Sequence, residues 1–204
     1  MSAGQQGLVT AAGANAVGVD GSARRRLVCE GALDAVGPGV YLLDGFPEPS
    51  HLEIRVAWLR LDPAMPARER DGLGTNDGVV SHRSACVVHG LGDIPAPTVE
   101  LIVPRRRRIT GPWLRLRVRT ELSVCEVTML DGLPVTTVAL TIIDLLRDRA
   151  DGGHVGGVIL DAERRGLIDP DQFAPRVEKF APSYAMPRAS GRDLLSVLVS
   201  MAAP

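Results

Sequence analysis

Seven arginines crowd into "PRRRRITGPWLRLRVRTE": Arg105, Arg106, Arg107, Arg108, Arg115, Arg117 and Arg119 fall within 15 residues with no acid among them. Guanidinium groups grip phosphates and carboxylates in a planar, two-point fashion, so such a cluster is a candidate anion-binding surface. In "LRLRVR" the period of two sends Leu114, Leu116 and Val118 to one face and the three arginines to the other. The run predicts a hairpin with a basic outer face. Functionally that face would hold DNA, RNA or an acidic partner; the plain alternative is the solvated side of a half-buried strand. A second set, Ser22, Arg24, Arg25 and Arg26, opens a predicted helix. The first residues of a helix laid in the major groove meet base edges and phosphates, and arginine suits both. The competing reading is again a solvated helix face.

No constellation for catalysis accompanies them. His82 and His89 sit seven apart on one helical face, but a zinc site needs two more ligands and no H-E-x-x-H or cysteine pair supplies them. Ser81 lies beside His82 without a G-x-S-x-G elbow. "DGS" at 20–22 lacks the paired downstream carboxylates of a nucleotide-transferring metal site, and no phosphate-binding glycine loop is present. The expectation is a non-enzyme without metal or cofactor.

Composition sets the surroundings. The chain has 204 residues, 45% of them hydrophobic, enough for packed cores. Aromatics are 3%, too few for base-stacking platforms. The basic residues are 22 arginines and Lys179, the bias of a GC-rich genome, and the net charge is −1. Any nucleic-acid footprint must therefore be local. Residues 1–45 hold three arginines against Asp20, Glu30, Asp34 and Asp44, a weak balance for neutralising phosphates. Cys29, Cys86 and Cys125 are odd in number and widely spaced, which argues against a disulfide framework and fits a reducing cytoplasm. No apolar run is long enough to span a bilayer, and "MSAGQQGL" has neither a charged nor an apolar signal region, so no membrane association is expected.

The elements that must carry these residues follow from caps and periodicity. Thr10 caps a short helix; Asp20 or Ser22 caps a second over Ala23 to Cys29, which Gly31 ends. "ALDAV" and "GVYLL" flank the turn Gly37-Pro38-Gly39 as two short strands. Helix, turn, helix, hairpin is the order of a winged helix-turn-helix, assigned to residues 1–45. Any helix before it is confined to Ser2–Gln6. "DGFPEPS" reads as a linker. Ser50 then caps "HLEIRVAWLRL", whose Ile54, Ala57, Trp58 and Leu61 make one apolar face. Ser81 caps a helix that Gly90 or Gly92 stops. "TVELIVP", "WLRLRVR" and a shorter run near "VTMLDGLPVTT" are extended, giving residues 50–137 an α+β character with a small sheet. Residues 138–204 are helical: Ala139, Ile142, Ile143 and Leu146 form one stripe and Val155, Val158, Ile159 and Ala162 another. Asp169-Pro170 opens a third helix, and Ser190 with Asp193 opens the last.

Taken together, "GLVTAAGANAVGV", "RRRLVCEGALDAVGPGVYLL", "HLEIRVAWLRL", "VVSHRSACVVHGLGDIP", "VELIVPRRRR", "DGLPVTTVALTIIDLL" and "HVGGVILDAERRGLID" resemble the AbiEi-type antitoxins of type IV toxin–antitoxin systems found in actinobacteria. "SHRSACVVHGLGDIP" and "GLPVTT" before a helix are the most specific parts. The resemblance implies an N-terminal winged helix that binds the promoter DNA of its own operon, possible dimerisation on that DNA, and a C-terminal antitoxin domain over residues 50–204. That domain opposes a nucleotidyltransferase-like toxin encoded next door. It places operator contacts on Ser22, Arg24, Arg25 and Arg26, and makes Arg105 to Arg119 a second DNA-facing or toxin-opposing surface. Two other readings remain open: an inhibitor that holds the toxin in a stable complex, and a stand-alone transcription factor.

Overall fold

The computed structural model describes residues 5–109 and 111–202. The expected helix at Ser2–Gln6 lies largely outside them, and Gln5 and Gln6 belong to a turn. The fold is α+β. Strand β1 (Leu8–Thr10) leads into α1 (Ala11–Ala16) and α2 (Gly21–Cys29), followed by β2 (Leu33–Gly37) and β3 (Val40–Leu43). The three strands form an antiparallel sheet in the order β1-β3-β2. Thr10 caps α1 by accepting the Gly13 N–H at 3.0 Å. A Cβ at Gly13 would lie 3.1 Å from that hydroxyl, so the helix-weakening glycine leaves room for the cap.

Residues 44–50 lead to α3 (Leu52–Leu59), in which Ile54 through Leu59 are all buried. The serine cap expected at Ser50 does not form. His51 occupies the cap position in a left-handed conformation, and Ser50 Oγ instead donates to Asp131 Oδ2 at 2.7 Å. Strand β4 (Val79–Val80), α4 (His82–His89), β5 (Val99–Val103), β6 (Leu114–Val118), β7 (Val127–Leu130) and β8 (Leu133–Thr136) follow. They build a five-stranded sheet in the order β6-β5-β4-β8-β7. The extended region near "VTMLDGLPVTT" is thus a hairpin of two strands, turned at Asp131 and Gly132, both at positive φ.

One expectation is overturned here. β5 and β6 are not a hairpin: they pair in parallel, with Glu100 opposite Arg115 and Ile102 opposite Arg117. Parallel neighbours need a crossover, and residues 104–113 with their arginines supply it.

The helical part comprises α5 (Val138–Arg147), α6 (Gly152–Arg164), α7 (Pro170–Val177) and α8 (Gly191–Ala202). Asp169 caps α7 with Pro170 in its first turn, and Ser190 and Asp193 bond reciprocally before α8. Two cores result. One runs from Leu8, Val40 and Leu42 through α3 to Val80, Leu101 and Val135; the other joins Cys86 of α4 to α5–α8. The N-terminal sheet is docked rather than tethered. A Cβ at Gly37 of β2 would sit 2.4 Å from Val56 of α3, and Thr10 Oγ1 donates to Pro63 O at 2.5 Å.

Candidate functional site

α2 begins at Asp20, whose carboxylate accepts the Ser22 and Ala23 N–H groups at 2.9 and 2.8 Å. Those two backbone donors, Ala23 first, hold the Asp20 carboxyl below the usual range. The helix buries none of its nine residues. Ala23 and Leu27 are its half-covered side, while Ser22, Arg25 and Arg26 face solvent. Arg26 has one weak neighbour, Glu30 at 3.7 Å. Arg24 points the other way. Its guanidinium donates to Ala11 O at 3.2 Å, Asn15 Oδ1 at 2.5 Å and Val19 O at 2.6 Å, clamping the turn between α1 and α2. The four residues grouped by the sequence thus divide into three outward side chains and one internal strut.

The arginine-rich segment divides more sharply. Arg105 donates to Thr75 O at 3.2 Å and to Asn76 Oδ1, and Arg107 donates to Asn76 Oδ1 at 3.1 Å and to Leu61 O. Arg106 and Arg108 are exposed, with no ion-pair partner among the described residues. On β6 the alternation holds for Leu114 and Leu116, which pack on the first core, but not for Val118, which is 52% exposed at the end of the strand. The opposite face is not open, because β5 and α5 bring acids to it. Arg117 bridges Glu100 at 2.9 Å and Asp148, and Arg119 pairs with Asp144 at 2.5 Å. Burial alone would lower the Arg117 pKa; the Asp148 and Glu100 carboxylates more than offset it and the net shift is upward. Arg115 remains 60% exposed, 3.9 Å from Glu100.

The acids behind this network escaped the sequence reading. Glu100 is the second residue of "VELIV" and Asp144 lies in the apolar stripe of "TIIDLL", and both are buried. A lone acid inside an apolar run signals a buried partner, because an unpaired buried charge is too costly. The same holds for Arg55, bonded to Asp131 from within the buried run of α3; Arg70, bonded to Asp77, is buried between exposed neighbours and carries no such signal.

The two histidines are packing residues with different partners. His82 is buried at positive φ, its Nδ1 2.9 Å from Ser81 Oγ; the Ser81 side chain makes no cap bond to α4. His89 Nε2 donates to Thr136 O at 2.8 Å. Burial is the main cause holding both imidazoles below the ordinary value of 6.5. A depressed histidine stays neutral in the native state while the unfolded chain takes up a proton. Stability from both groups is therefore complete above pH 6.5 and is lost as pH falls toward their native pKa values. Unfolding midpoints in urea should drop between about pH 7.5 and about pH 5.5. His89→Gln, which keeps a donor for Thr136, should flatten part of that slope; an unaltered slope would remove His89 from the account.

Cys86 is buried, and burial pushes its thiol up to about 12, while Cys29 and Cys125 are exposed and all three are free. No group of metal-ligating side chains assembles among the described residues, and no helix there is long and apolar enough to cross a membrane.

No protein-family model matches the chain, and no curated protein matches it. Its fold is similar to that in the crystal structure of the RV2827C protein from Mycobacterium tuberculosis, with a TM-score of 0.50 over 97% of this chain and 77% of that one. At 16% identity the likeness is one of fold alone: the chain shares an α+β architecture with that protein across almost its whole length.

Proposed function

We propose that this chain is an AbiEi-type antitoxin that opposes a nucleotidyltransferase-like toxin and binds the promoter DNA of its own operon through residues 8–43. The observation that carries the reading is α2. A nine-residue helix that buries nothing, yet is fixed by a cap and an arginine clamp, is organised to present a face rather than to fill a core. In this reading α1 and α2 form the helix-turn-helix, the β2–β3 hairpin is the wing, and α2 enters the major groove. Ser22, Arg25 and Arg26 contact DNA, and Arg24 sets the angle between the helices. Arg106 and Arg108, both exposed, add phosphate contacts. Two copies on repeated half-sites supply the affinity that one weakly charged module lacks.

Promoter binding measured at several salt concentrations tests this. Arg25→Ala and Arg26→Ala should each weaken binding about tenfold and reduce the salt slope by about one unit. Arg24→Ala should leave the slope in place while lowering thermal stability, since its guanidinium is committed to three internal acceptors. An unchanged slope in Arg25→Ala and Arg26→Ala would sink the assignment.

A second reading is favoured by the charge pattern. Arg105, Arg107, Arg117 and Arg119 are engaged inside the fold, and residues 1–45 hold four acids against three arginines. A direct inhibitor that holds the toxin in a stable complex needs no basic DNA footprint. Co-expression with the neighbouring toxin and purification by a tag on one partner separates the two: co-elution without promoter binding supports the inhibitor, and salt-sensitive promoter binding without co-elution supports the autorepressing antitoxin.

A further inference from the structure

Away from α2, a cavity of about 170 Å³ opens where the start of α4 meets β5, β6 and the end of α5. His82, Arg83, Glu100, Arg115, Leu145 and Asp148 line it. Its carboxylates are already engaged. Glu100 accepts from Arg117 at 2.9 Å and from the Arg83 backbone N–H at 3.1 Å, and Asp148 accepts from Arg117. What is left over is donors. The Arg83 guanidinium has no hydrogen-bond or ion-pair partner among the described residues, and Arg115 reaches Glu100 only at 3.9 Å. His82 is 4% exposed and engaged through Nδ1 alone; its Nε2 has no partner among the described residues. That nitrogen is not sealed from solvent, so an acceptor entering the cavity can reach it in the tautomer that places the ring proton there. The N-terminus of α4 adds its partial positive charge at the same point. The lining itself holds two arginines and two carboxylates, and Arg117, which bridges both carboxylates, tips the local balance to the positive.

The geometry points to a binding pocket for a small phosphorylated molecule, its phosphate held by His82, Arg83 and Arg115 while Glu100 and Asp148 fix Arg117 behind it. The volume is below the roughly 300–1,000 Å³ of drug-sized ligand sites, a fit for the phosphate itself, with any nucleoside attached to it lying outside the cavity. A phosphodiester within duplex DNA carries a sugar on both sides and does not enter a cavity this small, so this pocket is separate from the promoter contacts. The phosphate source is either inorganic phosphate or the monoester of a 5′-mononucleotide.

Calorimetric titration of the full chain with inorganic phosphate and with adenosine 5′-monophosphate distinguishes these. Saturable binding of at least one probe is expected, weakened about tenfold in Arg83→Ala and again in Arg115→Ala. Both side chains reach solvent, so the folded state survives their loss, and circular dichroism checks it. His82→Asn removes the imidazole donor with a residue that tolerates the local positive φ, and should also weaken binding. Tighter binding of the nucleotide assigns the pocket to a monoester, and equal binding assigns it to inorganic phosphate. No saturable heat up to about 10 mM of either probe, or undiminished affinity in both arginine variants, overturns the proposal.

Discussion

Asp77→Ala should cost about 4 kcal/mol of stability, measured by urea or guanidinium unfolding. The Asp77 carboxylate accepts Arg70 Nε at 2.9 Å and Nη2 at 2.5 Å, together with the Gly72 and Gly78 N–H groups at 2.8 and 2.9 Å. Arg70 lies 3.8 Å over the Trp58 ring and donates to Trp58 O, and both charged side chains are almost wholly buried. Removing the acid strands a guanidinium in a dry site and leaves two backbone donors unmatched, which is why breaking such a pair costs more than the pair contributes. The double variant Asp77→Ala with Arg70→Met should regain more than half of the loss, because no charge is then left behind. A loss under about 1 kcal/mol in the single variant would mean that water reaches Arg70. The effect extends beyond the pair. Asn76, next in the same loop, holds Arg105 and Arg107, so loosening the loop frees two arginines that the folded chain keeps engaged.

Gly156→Ala should cost about 3 kcal/mol, and roughly 10 °C in Tm, while Gly157→Ala should be neutral or stabilising by a few tenths of a kcal/mol. The two glycines are neighbours on α6 with opposite surroundings. A Cβ on Gly156 would lie 1.9 Å from Leu198 O and 2.6 Å from Leu198 C, backbone atoms of α8 that no rotamer change can move aside. A Cβ on Gly157 meets nothing nearer than Gly92 Cα at 3.9 Å, and there alanine simply reduces the freedom of the unfolded chain. Equal melting temperatures for the two variants would show that α6 and α8 are free to move apart.

The sequence is most readable where a local rule and the packing agree. Thr10, Asp20, Asp169 and the Ser190–Asp193 pair cap helices as their residue types require, and the stripes at 142–146 and 155–162 face the core. It misleads where a tertiary partner outbids the local one. Ser50 gives its hydroxyl to Asp131 from the distant β7–β8 turn instead of capping α3. The arginines of β6 follow the predicted alternation, yet the face they take is covered by acids on elements that no local pattern ties to them. Parallel pairing of β5 with β6 is likewise illegible, because a hairpin and a crossover look alike until the strand directions are known. At the candidate DNA-facing helix, chain order identified the elements. Only the clamp on Ala11, Asn15 and Val19 separates Arg24 from its neighbours.

The middle of the five-stranded sheet is its shortest strand. Val79 and Val80 pair with Ile102 and Leu101 on one side, and Val80 pairs with Val135 on the other. During synthesis the N-terminal three-stranded sheet can close as soon as residue 43 has emerged, whereas β4 must wait for β8 with one edge bare. Closing so long a loop around two residues is a non-local, entropically slow event. We expect the meeting of Val80 with Val135, rather than the formation of any helix, to limit the rate of folding. Until that moment the nascent chain carries a paired amino-terminal sheet whose core face is still uncovered and an open apolar strand, the interval in which it is most exposed to aggregation and proteolysis.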